Sequence, residues 1–121
     1  MSEYTKHLTP RPELRERIIE TAVKAFAAQG IKSITMDDIA TSLGISKRTL
    51  YEVFPDKETL LEECILRGQK EGDEYLKNVL ATSENVLEVL LKCYQRSIEK
   101  FHATNKKFFE DIKKYPKAYK L

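Results

Sequence analysis

The chain has 121 residues, of which 41% are hydrophobic and 33% are charged, and these proportions exclude a disordered polymer and a membrane-embedded protein. No apolar run exceeds the four residues from Ala25 to Ala28, whereas about 20 are needed to cross a bilayer. The sequence does not open with the basic segment and apolar run of a signal peptide, so we expect a soluble, cytoplasmic protein. The 21 Lys and Arg residues against 19 Asp and Glu residues leave a net charge of +2, so nucleic-acid binding has to be argued from the placement of individual charges.

The positions of proline and glycine predict an all-α chain. No proline lies between Pro55 and Pro116, which predicts long helices over residues 56–115 because proline breaks a helix interior. No segment alternates apolar and polar residues for long enough to indicate a strand. The first helix is predicted over about residues 13–29, with apolar residues at three- and four-residue spacing, and Gly30 ends it.

Two short helices are predicted to follow close together. Thr35 precedes an acid three residues later, Asp38, which is the pattern of a capping box. Gly44 ends this helix, and Ser46 is the predicted N-cap of the next one. Two short helices joined in this way form a helix-turn-helix, in which the second helix can enter the major groove of DNA.

The rest of the chain is predicted to form longer helices. Asp56 is the expected N-cap of a long helix, and Thr82 or Ser83 is the expected N-cap of the following one. A last segment begins near Asn105 and is interrupted before Pro116.

The two cysteines, Cys64 and Cys93, lie within these helical apolar patterns. This placement favours small core residues over a disulfide framework. Gly68 and Gly72 lie within the long helix, where they predict either a modest bend or a close contact with another backbone.

The sequence offers no pattern typical of catalysis or of metal binding. His7 and His102 stand alone, no cluster of His, Cys, Asp or Glu has ligand spacing, and no glycine-rich phosphate loop occurs. We therefore predict a protein that is not an enzyme and has no catalytic residues, metal site or cofactor.

The second short helix is predicted to have a buried side and an outward side. Helical spacing places Leu50, Val53 and Phe54 on the buried side. The outward side carries Lys47, Arg48, Tyr51 and Glu52. Cations there can reach phosphates or guanine edges, Thr49 can contact a base, and the tyrosine hydroxyl can donate to a phosphate. The Glu52 carboxylate repels phosphate unless it accepts a hydrogen bond from a cytosine amino group or pairs with Arg48.

A combined pattern extends through this region: T-M-D-D-I-A, then L-G-I-S-K-R-T-L-Y, then F-P-D-K-E-T-L. The pattern also includes three residues of the preceding helix and the glycine that ends it: Ile18, Ala22, Phe26 and Gly30. The whole pattern resembles the N-terminal DNA-binding domain of the tetracycline-repressor (TetR) family of bacterial transcription regulators, over about residues 13–66.

The resemblance implies an all-α fold of two parts. Residues 1–58 would form a three-helix DNA-binding head with the helix-turn-helix. Residues 59–121 would form the first long helices of an incomplete helical regulatory and dimerisation domain, because family members continue through several further helices. Apolar residues on these later helices are then expected to be poorly covered.

The resemblance also implies which residues contact DNA. Thr35 and Met36 stand where the family's second helix approaches the DNA backbone. Lys47, Arg48 and Thr49 occupy the base-reading positions of the recognition helix, and Tyr51 matches an aromatic residue that commonly touches phosphate. The candidate DNA-binding residues are Thr35, Met36, Ser46, Lys47, Arg48, Thr49, Tyr51 and Lys57. Lys57, at the start of the long helix, matches a lysine that contacts phosphate from outside the groove.

The implied function is sequence-specific transcriptional regulation, as a ligand-responsive repressor. The implied partners are a double-stranded DNA operator, a second copy of the chain bound through segments mostly beyond residue 121, and a small-molecule effector. The operator, the effector and its binding residues are not readable from the sequence. The alternative is a helical protein-interaction module that has lost DNA binding, for which Glu52 is the indication.

Overall fold

The computed structural model describes residues 11–121, which form seven α-helices. They are α1 (Arg11–Gln29), α2 (Met36–Leu43), α3 (Lys47–Val53), α4 (Lys57–Thr82), α5 (Val86–Ala103), α6 (Lys106–Ile112) and α7 (Pro116–Tyr119). No strand occurs in these residues, and none of their helices is long and apolar enough to cross a membrane. The predicted all-α class is confirmed, with long helices α4 and α5 after the first three, whereas α6 and α7 are short.

The caps of α2 and α3 are those predicted from the sequence. The Thr35 hydroxyl accepts from the Asp38 amide at 3.1 Å, and the Asp38 carboxylate accepts from the Thr35 amide at 2.9 Å. The Ser46 hydroxyl accepts from the Thr49 amide at 3.1 Å. Between the two helices, Gly44 has a φ of 69°, in the left-handed region that glycine tolerates best. Local hydrogen bonds therefore fix the turn of the helix-turn-helix.

The cap of α4 was predicted correctly and the cap of α5 was not. The Asp56 carboxylate accepts from the amide three residues later at 2.7 Å. The N-cap of α5 is Asn85, whose side chain accepts from the Glu88 amide at 2.9 Å, so the expectation of Thr82 or Ser83 was wrong. Thr82 remains in α4, where its hydroxyl donates to a carbonyl one turn earlier, and Ser83 ends that helix.

One hydrophobic core joins α1 to α2, α3, the first turns of α4, and α7. The largest fully buried side chains are Phe26, Phe54, Ile18, Ile19, Ile31, Ile39, Leu50, Leu60 and Leu61. Each contributes roughly 1.5–3 kcal/mol relative to an exposed position. This core holds the helix-turn-helix in a fixed orientation on α1.

The thiols of Cys64 and Cys93 are both free, and they differ in burial. Cys64 is buried at the edge of the core, as predicted, and this burial raises the pKa of its thiol to about 12. Cys93 is only half-buried. Of the two glycines in α4, Gly72 faces α5, since an added Cβ would lie 3.7 Å from an Arg96 nitrogen, and Gly68 faces open space.

Helix α5 adds no buried residue to the core. Its apolar side chains are largely exposed, with Val86 at 73% and Leu90 at 61% of full exposure. This confirms the expectation of poor coverage for α5, whereas Phe108 and Ile112 of α6 pack against the core and Ala118 of α7 is buried in it.

Helix α6 folds back onto the C-terminal end of α1. The Asn105 amide donates to the Ala27 carbonyl at 2.7 Å. The Asp111 carboxylate then accepts from the amides of Ile31 and Lys32, at 3.1 and 2.9 Å, in the turn that follows α1. These bonds attach the later helices to the predicted head.

Candidate nucleic-acid interface

Helix α3 has the two sides that the sequence predicted. Leu50 is fully buried, Phe54 is buried immediately after the helix, and Val53 is half-buried. The residues predicted to face outward, Lys47, Arg48, Tyr51 and Glu52, are all exposed. Within residues 11–121, no helix buries these four side chains.

The exposed cations of α3 have carboxylate partners. The Lys47 ammonium lies 2.9 Å from a carboxylate oxygen of Asp37 in α2, and this hydrogen-bonded carboxylate raises the pKa of Lys47. Arg48 lies 3.6 Å from Glu52, the i,i+4 pairing that the sequence allowed. The other oxygen of Glu52 lies 2.7 Å from a guanidinium nitrogen of Arg11. Because these pairs are exposed to water, they are weak, and a DNA phosphate can take the place of each carboxylate.

The sequence did not indicate the contribution of Arg11. It lies at the start of α1, far along the chain from Glu52, and no local spacing rule connects the two residues. The ion pair with Asp37 was also missed, although Asp37 was visible as an acid in the first turn of α2. The candidate interface therefore carries acids between its cations.

Four further candidates lie at the starts of α2 and α3. Thr35 and Ser46 are exposed N-caps, and each hydroxyl accepts a hydrogen bond from a backbone amide. Thr49 is half-buried, and its hydroxyl lies 2.9 Å from that of Ser46. Met36 is only 6% exposed and packs in the core, so its backbone rather than its side chain is left for a DNA contact.

The remaining candidate, Lys57, is the first residue of α4 and is half-buried. Its ammonium nitrogen lies 5.9 Å from the ring centroid of Tyr115. Burial lowers the pKa of Lys57, while the nearby carboxylates of Asp111 and Asp38 act in the opposite direction. Tyr115 was not foreseen beside this lysine, because nothing local in the sequence relates the two residues.

Other kinds of site find little support in residues 11–121. No group of three or more His, Cys, Asp or Glu side chains there could hold a metal ion. An open cleft of about 370 Å³ lies between α1 and α2 and is lined by residues such as Thr21, Gln29 and Thr41.

Comparison with known proteins agrees with this geometry. Residues 18–64 match the model of the family described as bacterial regulatory proteins, tetR family. Over 72 residues the chain is 32% identical to the biofilm operon icaADBC HTH-type negative transcriptional regulator IcaR of Staphylococcus aureus, a match that covers 60% of this chain and 37% of that protein. Over 101 residues it is 32% identical to the uncharacterized HTH-type transcriptional regulator YhgD of Bacillus subtilis, covering 80% of this chain and 52% of that protein. The chain thus spans between about a third and a half of the length of these relatives.

Two solved structures share the fold. A TetR-family transcriptional regulator from Mesorhizobium loti superposes with a TM-score of 0.71 at 24% identity, over 93% of this chain and 59% of that one. A second, from Pectobacterium atrosepticum, gives a TM-score of 0.62 at 28% identity, over 74% of this chain and 46% of that one. The first match extends well beyond the helix-turn-helix, so the later helices also follow the fold of these regulators. The family match and the curated relatives place residues 18–64 in the tetR family of bacterial regulatory proteins, and the rest of the described chain shares the fold of the two solved regulators.

Proposed function

We propose that the chain is a sequence-specific DNA-binding regulator that represses transcription, with α3 entering the major groove. The observation that carries this proposal is the exposed outward side of α3, with Lys47, Arg48 and Tyr51, on a buried core that fixes its orientation. Repression is supported by the relative from Staphylococcus aureus, which is named as a negative regulator. Its site of action would be the cytoplasm, where bacterial DNA is found.

In this proposal the residues of α3 divide into base-reading and phosphate-contacting groups. Arg48 is 90% exposed in its side chain and can form two hydrogen bonds to one guanine. Lys47 reaches a phosphate or a guanine edge, and Thr49 contacts a base from the side of the helix. Tyr51 donates to a phosphate, and the starts of α2 and α3, at Thr35, Met36 and Ser46, approach the DNA backbone.

Lys57 contacts phosphate from outside the groove in this proposal. It is the first residue of α4, and because the Asp56 carboxylate already caps that helix end, the contact rests on the charge of the lysine. The domain division follows from these roles: residues 1–58 bind DNA, and residues 59–121 belong to a regulatory and dimerising part.

We further propose that two copies of the chain bind one operator and that a small-molecule effector releases them. Two recognition helices fit successive major grooves when they are roughly 34–36 Å apart. An effector that favours another separation would weaken binding by a coupling between the two sites. The exposed apolar face of α5 supports burial against further helices, of the same chain or of a second copy.

A selection of bound duplexes from random-sequence DNA tests the proposal. We expect one sequence to be enriched, and its affinity to fall with salt at a log-log slope of about 0.9 per phosphate neutralised. Arg48→Ala should relax the preference at one base position by about 1–3 kcal/mol, whereas Lys57→Ala should weaken all sequences alike. Lys70→Ala, which changes an exposed lysine far along α4, is the matched control.

The second candidate function is a protein-interaction module that keeps the fold without binding DNA. Glu52 favours it, because this carboxylate contacts both Arg48 and Arg11 and so neutralises cations on the outward side of α3. A partner bound mainly through apolar surface would respond little to salt. No enriched duplex, together with a salt-insensitive protein complex, would favour this second function.

A further inference from the structure

The start of α4 is in contact with the segment that follows α6. Lys57 and Tyr115 form a cation–π pair, with 5.9 Å between the ammonium nitrogen and the ring centroid. Helix α7 packs against α4, and its Ala118 is almost completely buried. The residue proposed to contact phosphate outside the groove therefore lies against a part of the chain beyond the DNA-binding head.

Tyr115 lies in a hydrogen-bonded segment that packs on the core. Its backbone amide donates to the Ile112 carbonyl at 3.0 Å, and its carbonyl accepts from the Tyr119 amide at 2.9 Å. The ring itself packs against the hydrophobic core. One turn earlier, the Asp111 carboxylate binds two amides of the turn after α1. The ring of this packed segment therefore bounds one side of the Lys57 ammonium group.

Lys57 is half-buried, so part of its side chain still faces water. Asp111 and Asp38 influence its charge from a distance, and within residues 11–121 no carboxylate oxygen lies in ion-pair contact with it. A lysine loses rotamer freedom when it binds a phosphate. A ring that already lies beside the ammonium group restricts the side chain before DNA binds, which reduces that loss and so favours binding.

We propose that Tyr115 is a positioning residue for DNA binding, whose ring confines the Lys57 side chain so that its ammonium group meets the phosphate backbone. The inference rests on the proposed function and extends it, because the DNA-binding surface then depends on residues 111–119 as well as on the head. A displacement of α6 and α7 would change the phosphate contact without moving α3.

A double-mutant cycle on the full chain tests this inference, with a random-sequence duplex of about three helical turns as the probe. A random duplex suffices because phosphate contacts do not depend on sequence. We expect Tyr115→Ala to weaken binding by about two- to fivefold, the equivalent of one exposed cation–π contact. Tyr115→Phe keeps the ring and should bind as the wild type does. Lys57→Gln should lower the salt slope by about 0.9.

The decisive comparison is Tyr115→Ala in the Lys57→Gln background. If Tyr115 acts through Lys57, the second substitution has no further effect on affinity. A loss of the same size in both backgrounds would show that Tyr115 acts only on the structure, and tighter binding by Tyr115→Ala would show that the ring competes with phosphate. Either result overturns the inference while the proposed function stands. Tyr119→Ala, an exposed tyrosine of α7, is the matched control.

A measurement without DNA separates the two proposals further. The ring current of Tyr115 should shift the ε-methylene protons of Lys57 upfield in the NMR spectrum, and Tyr115→Leu should abolish the shift while keeping an apolar side chain. An unshifted lysine in the wild type would overturn the positioning inference. If the wild type shows the shift but binds no duplex, the proposed function is refuted, and with it the role of Tyr115 in DNA binding.

Discussion

The Asp37 carboxylate lies 2.9 Å from the Lys47 ammonium group and joins α2 to the exposed side of α3. A phosphate that approaches Lys47 has to displace this carboxylate, which also repels it. We expect Asp37→Asn to tighten binding to a random-sequence duplex about fivefold at low salt, the equivalent of one contact between unit charges in water. The gain should shrink as salt rises.

Fluorescence anisotropy of a labelled duplex measures this effect. Asp73→Asn, at an exposed position in α4, changes the net charge equally and is the control. If both variants tighten binding by the same factor, the net charge and not the contact with Lys47 is responsible.

Acid should destabilise the fold through its helix caps. Backbone amides hydrogen-bond to the carboxylates of Asp38, Asp56 and Glu88 and hold the pKa of each below its usual value. A carboxyl whose folded-state pKa is lowered stabilises the fold above its unfolded-state pKa, and this stabilisation is lost as the pH falls through the folded-state pKa. We therefore expect Tm to be constant from about pH 7 to pH 5 and to fall below about pH 4.

Circular dichroism melts across this range test the expectation. Asp56→Asn keeps an N-cap oxygen but cannot titrate, so its Tm should fall less steeply with acid than that of the wild type. Equal acid sensitivity of the two proteins would contradict the assignment to this cap.

Leu50 should contribute more to stability than Leu90, although both are helical leucines. Leu50 is fully buried on the core-facing side of α3, whereas Leu90 on α5 is 61% exposed. We expect Leu50→Ala to lower the free energy of unfolding by about 2–5 kcal/mol, because it leaves a cavity in the core. Leu90→Ala should change it by less than about 0.5 kcal/mol. Urea titrations compare the two, and a large loss for Leu90→Ala would show that α5 is covered in solution.

Gly30 and Gly44 should respond differently to alanine, although both have positive φ, at 86° and 69°. An added Cβ at Gly44 meets no atom within 4 Å, whereas at Gly30 it would lie 2.7 Å from the Lys107 Cβ. Gly44→Ala should therefore cost about 1–2 kcal/mol of backbone strain. Gly30→Ala should cost more, because α6 also has to move away from α1. Similar losses in urea titrations of the two variants would mean that the α1–α6 contact contributes little.

The sequence by itself determined the elements whose hydrogen bonds are local. Thr35, Ser46 and Asp56 each cap a helix through an amide three residues later, so their patterns are readable from a few adjacent letters. The buried side of α3 follows from helical spacing in the same way, and with it the outward position of Lys47 and Arg48. Even local patterns fail where several capping residues compete, as Asn85 did against Ser83.

Only the tertiary structure decided which distant residues share the candidate interface. Arg11 meets Glu52, Asp111 binds the amides after α1, and Tyr115 lies beside Lys57. None of these pairs is related by a helical or turn spacing. They form because the common core brings α1, α4, α6 and α7 together, and burial of apolar surface is non-directional, so it specifies that helices pack but not which polar side chains meet at their edges.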